Sequence, residues 1–464
     1  MNSNRRTIIV VNLIVTCVAT SFLQTALTTA LPPIIQEFHI SVSSGQWLTS
    51  GYSLIMGIMM PLTAFLITRY PTKKLYISAI GVFLAGLLVC LFAPTFSALM
   101  VGRGLQACGN GLTGSLAQVV LLTLYPPERR GTIMGWYGLS VGAAPVIAPT
   151  IAGVLVDTLG WRAIFAVALV ILLASFLLAL AVFDNVLETQ VKRFDVRSFF
   201  LSVCAFGGIT LGVGNLSSAG LLTPVTLLPL LLGVGTGVLF AQRQFRMAEP
   251  FLDLRILRVH DYALSVGGSI LLYFVMMGSS VIMPLYIQSI VGESATVSGL
   301  VTLPGSLAMA IVSPFAGRIY DKFGMRRLAL TGSVLMMVSC AGMCLMELET
   351  PLVLPAALNV IRCLSIGCLM MPFVTFGLNS MGAEHTAHGT ALLNALRTIA
   401  GAIGAAVFVG ILNTASLCGQ ADLTGLHVTF LAMTVVTIGM LCVMAVGIGK
   451  KQSVAKHMEE IKGK

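Results

Sequence analysis

The chain has 464 residues, 57% of them hydrophobic and 9% charged, with a mean hydropathy of +0.96. Soluble domains carry about 25% charged residues, so water is excluded as the main solvent. The formal net charge of +10 is gathered into short segments between long apolar runs, which excludes a basic nucleic-acid-binding face.

Fourteen runs are long enough for a hydrocarbon core of about 30 Å, which takes roughly 20 residues of helix. Their length excludes a barrel, the other structure that satisfies its own backbone in lipid. In chain order the predicted spans are 7–32, 46–68, 75–93, 97–124, 132–156, 163–183, 198–216, 223–241, 262–289, 296–317, 328–346, 352–377, 389–414 and 427–449. An even count returns both termini to one side.

Basic residues follow loop parity. Arg5 and Arg6, alternate loops (Arg69 to Lys74, Arg129 and Arg130, Lys192 to Arg197, Arg243 to Arg258, Arg318 to Arg327) and the tail from Lys450 hold all but four of the 27 Lys and Arg. The other face has Arg162 alone, and Arg103, Arg362 and Arg397 fall inside predicted helices. Positive charge marks the cytoplasmic side, so both termini are expected there. The first run is too long for a signal peptide and reads as a mature helix. The ten cysteines lie in or beside apolar runs without zinc or disulfide spacing. No phosphate-binding glycine loop, metal cluster or nucleophile–base pair occurs, so no cofactor, no metal and no enzymatic activity are expected.

The loop after helix 2, AFLITRYPTKK (Ala64 to Lys74), is echoed after helix 10 by GRIYDKFGMRR (Gly317 to Arg327). Each echo is followed by one helix, a short outer loop and a helix with an internal arginine, Arg103 and Arg362 respectively. This recurrence in the same orientation predicts two parallel six-helix repeats with an inserted pair. The expected divisions are 1–183, a linker with helices 7 and 8 at 184–261, the second bundle at 262–449 and a tail at 450–464.

GRIYDKFGMRR resembles the inter-helix signature of the major facilitator superfamily, and nearly the whole chain is similar to its 14-helix drug:proton antiporter branch. RGLQACGNG (Arg103 to Gly111) is similar to the family's helix-4 signature. GLSVGAAPVIAPTIAG (Gly138 to Gly153) resembles the exporter signature through Pro145, Pro149 and Gly153, with alanines replacing other glycines. QWLTSGYSL (Gln46 to Leu54), GWRAIF (Gly160 to Phe165) and GTALLNALRTIAGAIG (Gly389 to Gly404) are further matches. The resemblance implies an all-α membrane protein with the major facilitator fold that exports small amphiphilic organic compounds by alternating access. It implies a monomer in the bacterial inner membrane, in contact with lipid and coupled to protons, with Arg103 in coupling and Asp321, Arg326, Arg327, Pro145, Pro149 and Gly153 in gating.

The first-helix signature departs from the family. FLQTALTTALP (Phe22 to Pro32) puts Leu23 or Gln24 where the family has an aspartate, and Thr28 where it has an asparagine. Thr68 and Pro71 replace the aspartate and glycine of the first loop copy. All seventeen acids fall in loops, tails or helix ends, yet proton coupling ordinarily uses an embedded acid or histidine. Asp157 is the nearest candidate, as a proton site or as a partner for Arg162. Internal charge is therefore positive without an acidic counterpart, and an unpaired arginine in low dielectric must meet carbonyls, water or an anion. Arg362 or Arg397 is thus expected to bind an anionic or zwitterionic amphiphile, unless these arginines are structural, bonded to neighbouring carbonyls. Gln24, Thr25, Thr28, Tyr52, Asn110, Gln118, Tyr273 and Asn394 supply polar groups for a cavity, with methionine pairs as adaptable filler. Alternatives are a proton-independent exchanger or facilitator and a non-transporting membrane sensor.

Overall fold

A computed structural model describes residues 3–190, 194–219, 223–247, 249–347, 349–417 and 421–448. The expected tail 450–464 and the linker cations Lys192 and Arg193 lie outside the described residues. Among the described residues fourteen long helices run α1 Ser3–Phe38, α2 Val42–Arg69, α3 Thr72–Leu91, α4 Phe96–Leu124, α5 Pro127–Leu159, α6 Arg162–Val182 and α7 Val196–Ala219. They continue as α8 Pro224–Arg246, α9 His260–Leu285, α10 Ala295–Phe323, α11 Met325–Met343, α12 Val353–Asn379, α13 Thr386–Leu417 and α14 Ala421–Gly447. Twelve are long and apolar enough to cross a bilayer, and α5 and α11 complete the set.

Several helices outrun their apolar spans. α1 continues through Pro32 and Pro33 to Phe38, α5 starts at Pro127, and α10 reaches Phe323. Hydropathy marks only the hydrocarbon-facing turns, whereas helix geometry persists into flanking turns that carry Glu37, Arg129 and Asp321. Pro127 suits the first turn of α5, where its missing N–H costs no hydrogen bond.

The packing repeats with a period of eight helices. α1 packs on α5 and α6, α2 on α4, and α3 on α4 and α6; α9 packs on α13 and α14, α10 on α12, and α11 on α12 and α14. Between the two sets, α5 packs on α10 and α12, and α13 packs on α2 and α4. Exchanging the sets interchanges these contacts, so the bundles are related by a pseudo-twofold axis. The inserted α7 and α8 pack mainly on each other, with α7 also against α2 and α13. Glycines make their contact close: a Cβ on Gly233 would fall 2.4 Å from the Ile209 nitrogen. Leucines along α8, such as Leu228 and Leu231, are exposed, as lipid-facing residues must be.

The end of the molecule that carries Ser3 and the ends of α2, α4 and α10 is its basic end. Here the core of the first bundle continues into Tyr262, Val374, Leu378, Ala387 and Ala391 of the second. The α8–α9 connection crosses this end. Phe251 stacks on Phe65 of α2 with centroids 5.8 Å apart, Leu252 N donates to Gln244 Oε1 at 3.1 Å, and Asp253 N donates to His388 Nδ1 of α13 at 3.3 Å.

Candidate functional site

The bundles meet most closely where α5 crosses α10. Glycines on one stripe of α5 face α10 and α12. A Cβ on Gly131 would lie 2.6 Å from the Gly317 oxygen, one on Gly135 2.6 Å from the Ser313 oxygen, and one on Gly138 2.6 Å from Met371 Cγ. The reverse substitution is tighter, since a Cβ on Gly317 would stand 2.1 Å from the Gly131 oxygen. Small residues here let two backbones touch.

Asp321, at the end of α10, completes the closure. Its Oδ1 accepts Gly131 N–H at 2.8 Å, and its Oδ2 accepts Thr132 N–H at 2.7 Å and the Thr132 hydroxyl at 2.6 Å. A carboxylate of one bundle thus accepts from second-turn amides of α5 in the other, near enough to that helix's N-terminus for its dipole to favour negative charge. Beside it, Arg130 Nη1 donates to Asn379 Oδ1 at 2.9 Å, and Asn379 Nδ2 donates to the Tyr320 hydroxyl at 3.3 Å. Arg326 and Arg327 begin α11, with the Arg327 guanidinium 4.9 Å from the Phe323 ring centroid. Gly324, between the helices, has φ of 74°, a value an L side chain resists. In the first loop copy Thr68 turns its hydroxyl to the Ala64 and Phe65 carbonyls of its own helix, and Pro71 at φ −56° starts α3.

Of the other expected gating residues, Gly153 has open space where its Cβ would be. α5 runs unbroken through positions 145 and 149, and the side chains of Pro145 and Pro149 lie outside the described residues. The buried faces of the same stretch are Ala144, Ala148 and Ala152. The close helix contact therefore sits on Gly131, Gly135 and Gly138, about two to four turns before Pro145; a glycine at every third or fourth position was the signal for it.

Above this closure lies a polar node shared by the two bundles. Asn394 of α13 donates from Nδ2 to Gln118 Oε1 at 3.2 Å and to Ser115 Oγ at 3.5 Å, both on α4. One turn on, the Arg397 guanidinium stands 4.9 Å from the Tyr273 ring centroid of α9, a cation–π contact. Tyr137 of α5 joins them, buried, with its hydroxyl 3.5 Å from the Gly114 oxygen and in electrostatic reach of Gln118, Arg397 and Tyr273. Thr398 contacts Met60 Sδ at 3.7 Å, next to an apolar cluster of Met60, Phe206 and Ala395. Asn394 Oδ1 and Arg397 Nη1 are both buried without a hydrogen-bond partner. Arg397 is eleven residues into α13, about 17 Å from its basic end at 1.5 Å per residue.

The other two arginines are placed differently. Arg103 is 1% exposed; its Nε donates to the Leu48 oxygen at 3.3 Å, its Nη1 to Gln106 Oε1 at 2.8 Å, and its guanidinium stacks 4.1 Å over Tyr52. Gln106 is itself tied to Cys90 Sγ at 3.3 Å. Arg362 is 6% exposed and is hydrogen-bonded through Nη2 to Asn359 Oδ1. Asn359 Nδ2 in turn donates to the Thr302 oxygen at 3.2 Å, leaving Arg362 Nε and Nη1 without partners. Each of these arginines is anchored within its own bundle by a side-chain amide three residues away; only Arg397 stands where both bundles converge.

Gln24 is half-buried and Thr28 exposed on α1, with the Thr28 hydroxyl on the Thr25 oxygen at 2.7 Å. Asn110 reaches Met56 Sδ at 3.7 Å. The structure does not bring these three into the node. Asp157 is exposed, and the partner of Arg162 is instead Glu37, at 2.7 Å, which also accepts Trp161 Nε1–H at 2.6 Å. Asp157 sits on α5 itself, whereas Glu37 arrives from the extra turns of α1 beyond its apolar run. Among the described residues no carboxylate lies in the middle of a helix and no group of three potential metal ligands occurs.

Two six-helix bundles about a pseudo-twofold axis, sealed against each other at one end above which a polar node spans both, define a membrane transporter that works by moving one bundle against the other. The family model of the Major Facilitator Superfamily matches residues 13–405, and the chain belongs to that family. It is 34% identical over 421 residues to the uncharacterized MFS-type transporter YcnB of Bacillus subtilis, covering 89% of each chain. It is 35% identical over 408 residues to the lincomycin resistance protein LmrB of the same organism, covering 86% of this chain and 83% of that one. The multidrug resistance protein Stp of Mycobacterium tuberculosis is 26% identical over 384 residues, covering 82% of this chain and 71% of its own. The fold is also that of the human organic anion transporter MFSD10 (TM-score 0.67, 14% identity, 96% of this chain and 100% of that one). The proton:xylose symporter XylE superposes equally well (TM-score 0.67, 14% identity, 96% of each chain).

Proposed function

We propose that this protein is a secondary transporter of the multidrug-efflux type, which carries small amphiphilic organic molecules out of the cell. It works in the bacterial cytoplasmic membrane, as a monomer, with the basic end and both termini in the cytoplasm. The observation that carries the reading is the Asp321 contact on α5. A carboxylate holding another bundle's helix end can release it as a unit, and the glycine-lined contact beneath can part without unpacking either core. Resistance proteins among its relatives support the outward direction.

The closed basic end corresponds to the outward-facing half of the cycle. Residues 1–183 and 262–449 move as the two bodies, and α7 and α8 with their linkers ride on α2 and α13. Asn394, Arg397 and Tyr273, with Tyr137, Ser115 and Gln118, form the substrate contact. Arg103 and Arg362 keep the outer halves of α4 and α12 rigid through their amide partners. Purified protein in liposomes, loaded with an amphiphilic dye and given the same dye outside, tests this by counterflow. Exchange accelerated well above protein-free vesicles is expected. Inertness toward anionic, neutral and cationic dyes alike refutes transport and leaves a membrane sensor.

A further inference from the structure

Two observations stand together: the node shared by the bundles has one full charge, the guanidinium of Arg397, and no described carboxylate lies at its depth. Its Nη1 and the neighbouring Asn394 Oδ1 are buried without partners, and Tyr273 covers one face of the cation. A guanidinium held with an unpaired N–H away from water is stabilised when an anion arrives, because its own desolvation is already met and the anion supplies a charge-assisted hydrogen bond. A carboxylate or sulfonate is planar or tripodal and can take the free Nη1–H. A cation would meet Arg397 with nothing in the node to offset the repulsion. Methionines and aromatic rings beside it, Met60, Phe206 and Tyr273, suit an apolar body attached to that anionic head.

We infer that the substrate is an organic anion and that its export is driven by the membrane potential, not by proton exchange. This rests on the efflux reading and supplies its energy source. A bacterial interior is electrically negative, so an anion moved outward runs down the potential, and an anion carrier needs no coupled ion to be an exporter. The charge count over one cycle supports this. With an anion bound, Arg397 is neutralised and the loaded site crosses with no net charge. After release outside, the empty site keeps its positive charge, and the potential draws that charge back toward the cytoplasmic side. The return of the empty carrier is therefore the voltage-dependent step, and one negative charge leaves per turnover. An embedded acid, the usual proton carrier, has no place in this cycle, which accounts for Leu23 or Gln24 standing where the first-helix signature this stretch resembles has an aspartate.

The test uses the full-length protein in liposomes and three probes that share one fluorophore: dansyl-taurine (anion), dansyl-ethanolamine (neutral) and dansyl-choline (cation). A hundredfold K+ gradient, high inside, with valinomycin makes the interior negative, and retained dye is read after rapid gel filtration. Dansyl-taurine is expected to leave until its outside-to-inside ratio approaches the same factor, about a hundredfold for one charge at equilibrium. A pH gradient imposed at zero potential is expected to produce no accumulation. Arg397→Gln is expected to slow dansyl-taurine efflux at least tenfold, and Arg397→Lys, which keeps the charge, to retain part of it. Efflux of dansyl-choline or dansyl-ethanolamine driven by the pH gradient would leave the efflux reading standing and overturn the anion inference. Anion efflux that follows pH and ignores potential overturns the energy source. No movement of any probe under either gradient overturns both readings.

Discussion

Replacing Asp321 with Asn tests whether the basic end is held shut by charge at the α5 terminus. Asn keeps one carbonyl oxygen, so it can hold the Gly131 or the Thr132 amide but not both, and its uncharged side chain gains little from the helix dipole. Losing a hydrogen bond costs about 1 kcal/mol, and the charge–dipole attraction at a half-exposed position adds about 0.5 kcal/mol. About 1.5 kcal/mol is roughly a tenfold change in the ratio of closed to open forms. Hydrogen exchange followed by mass spectrometry on peptides spanning residues 127–134 reads this directly, because the two amides that Asp321 holds lie in that segment. The expected result is about tenfold faster exchange there, with peptides from the middle of α3 unchanged. Unaltered protection at 127–134 would refute the latch, and equal loss in α3 would show that Asp321 supports the whole fold instead.

Gly317→Ala puts a methyl group against the Gly131 backbone, which cannot move as a side chain does; the overpacking cost of about 1–3 kcal/mol falls on the closed form, and faster exchange at 127–134 checks it. Tyr76→Phe removes a hydroxyl bonded to Asn12 Oδ1 at 2.7 Å and Thr16 Oγ1 at 2.8 Å inside the first bundle; the loss of about 1–2 kcal/mol lowers the thermal midpoint in detergent without changing the relative rates of transported probes. Glu37→Gln weakens contacts to Trp161 and Arg162 at the far end, but the ion pair is 38% and 42% exposed, so less than about 1 kcal/mol is at stake; a midpoint unchanged within a degree or two is expected, and a large drop would mean that the pair is shielded from solvent.

The helices were legible because each needs a run of apolar residues to cross lipid, and the runs near Leu23, Leu172 and Met440 mark that need whatever their neighbours do. The three internal arginines were legible for the opposite reason, as charges in places where charge is expensive. The partners of the charged side chains were not. Arg162 meets Glu37, 125 positions away, and nothing local distinguishes Glu37 from Asp157. Likewise Tyr137 reads as one aromatic residue in an apolar helix, and only the crossing of α4, α5, α9 and α13 turns it toward Gln118 and Arg397. Periodicity reports which face of a helix is apolar; it does not report which helix that face will meet. The α5 glycines carried a visible spacing, but their meaning depended on α10 lying against them.

The chain segment from Phe251 to Asp253 is fastened to α2 through Phe65 and to α13 through His388. A connector pinned at both ends works as a leash, and its slack limits how far the cytoplasmic mouth can gape before one attachment lets go. The throw of the machine, and with it the girth of the largest cargo admitted, is then set partly by a few residues that never touch what is carried.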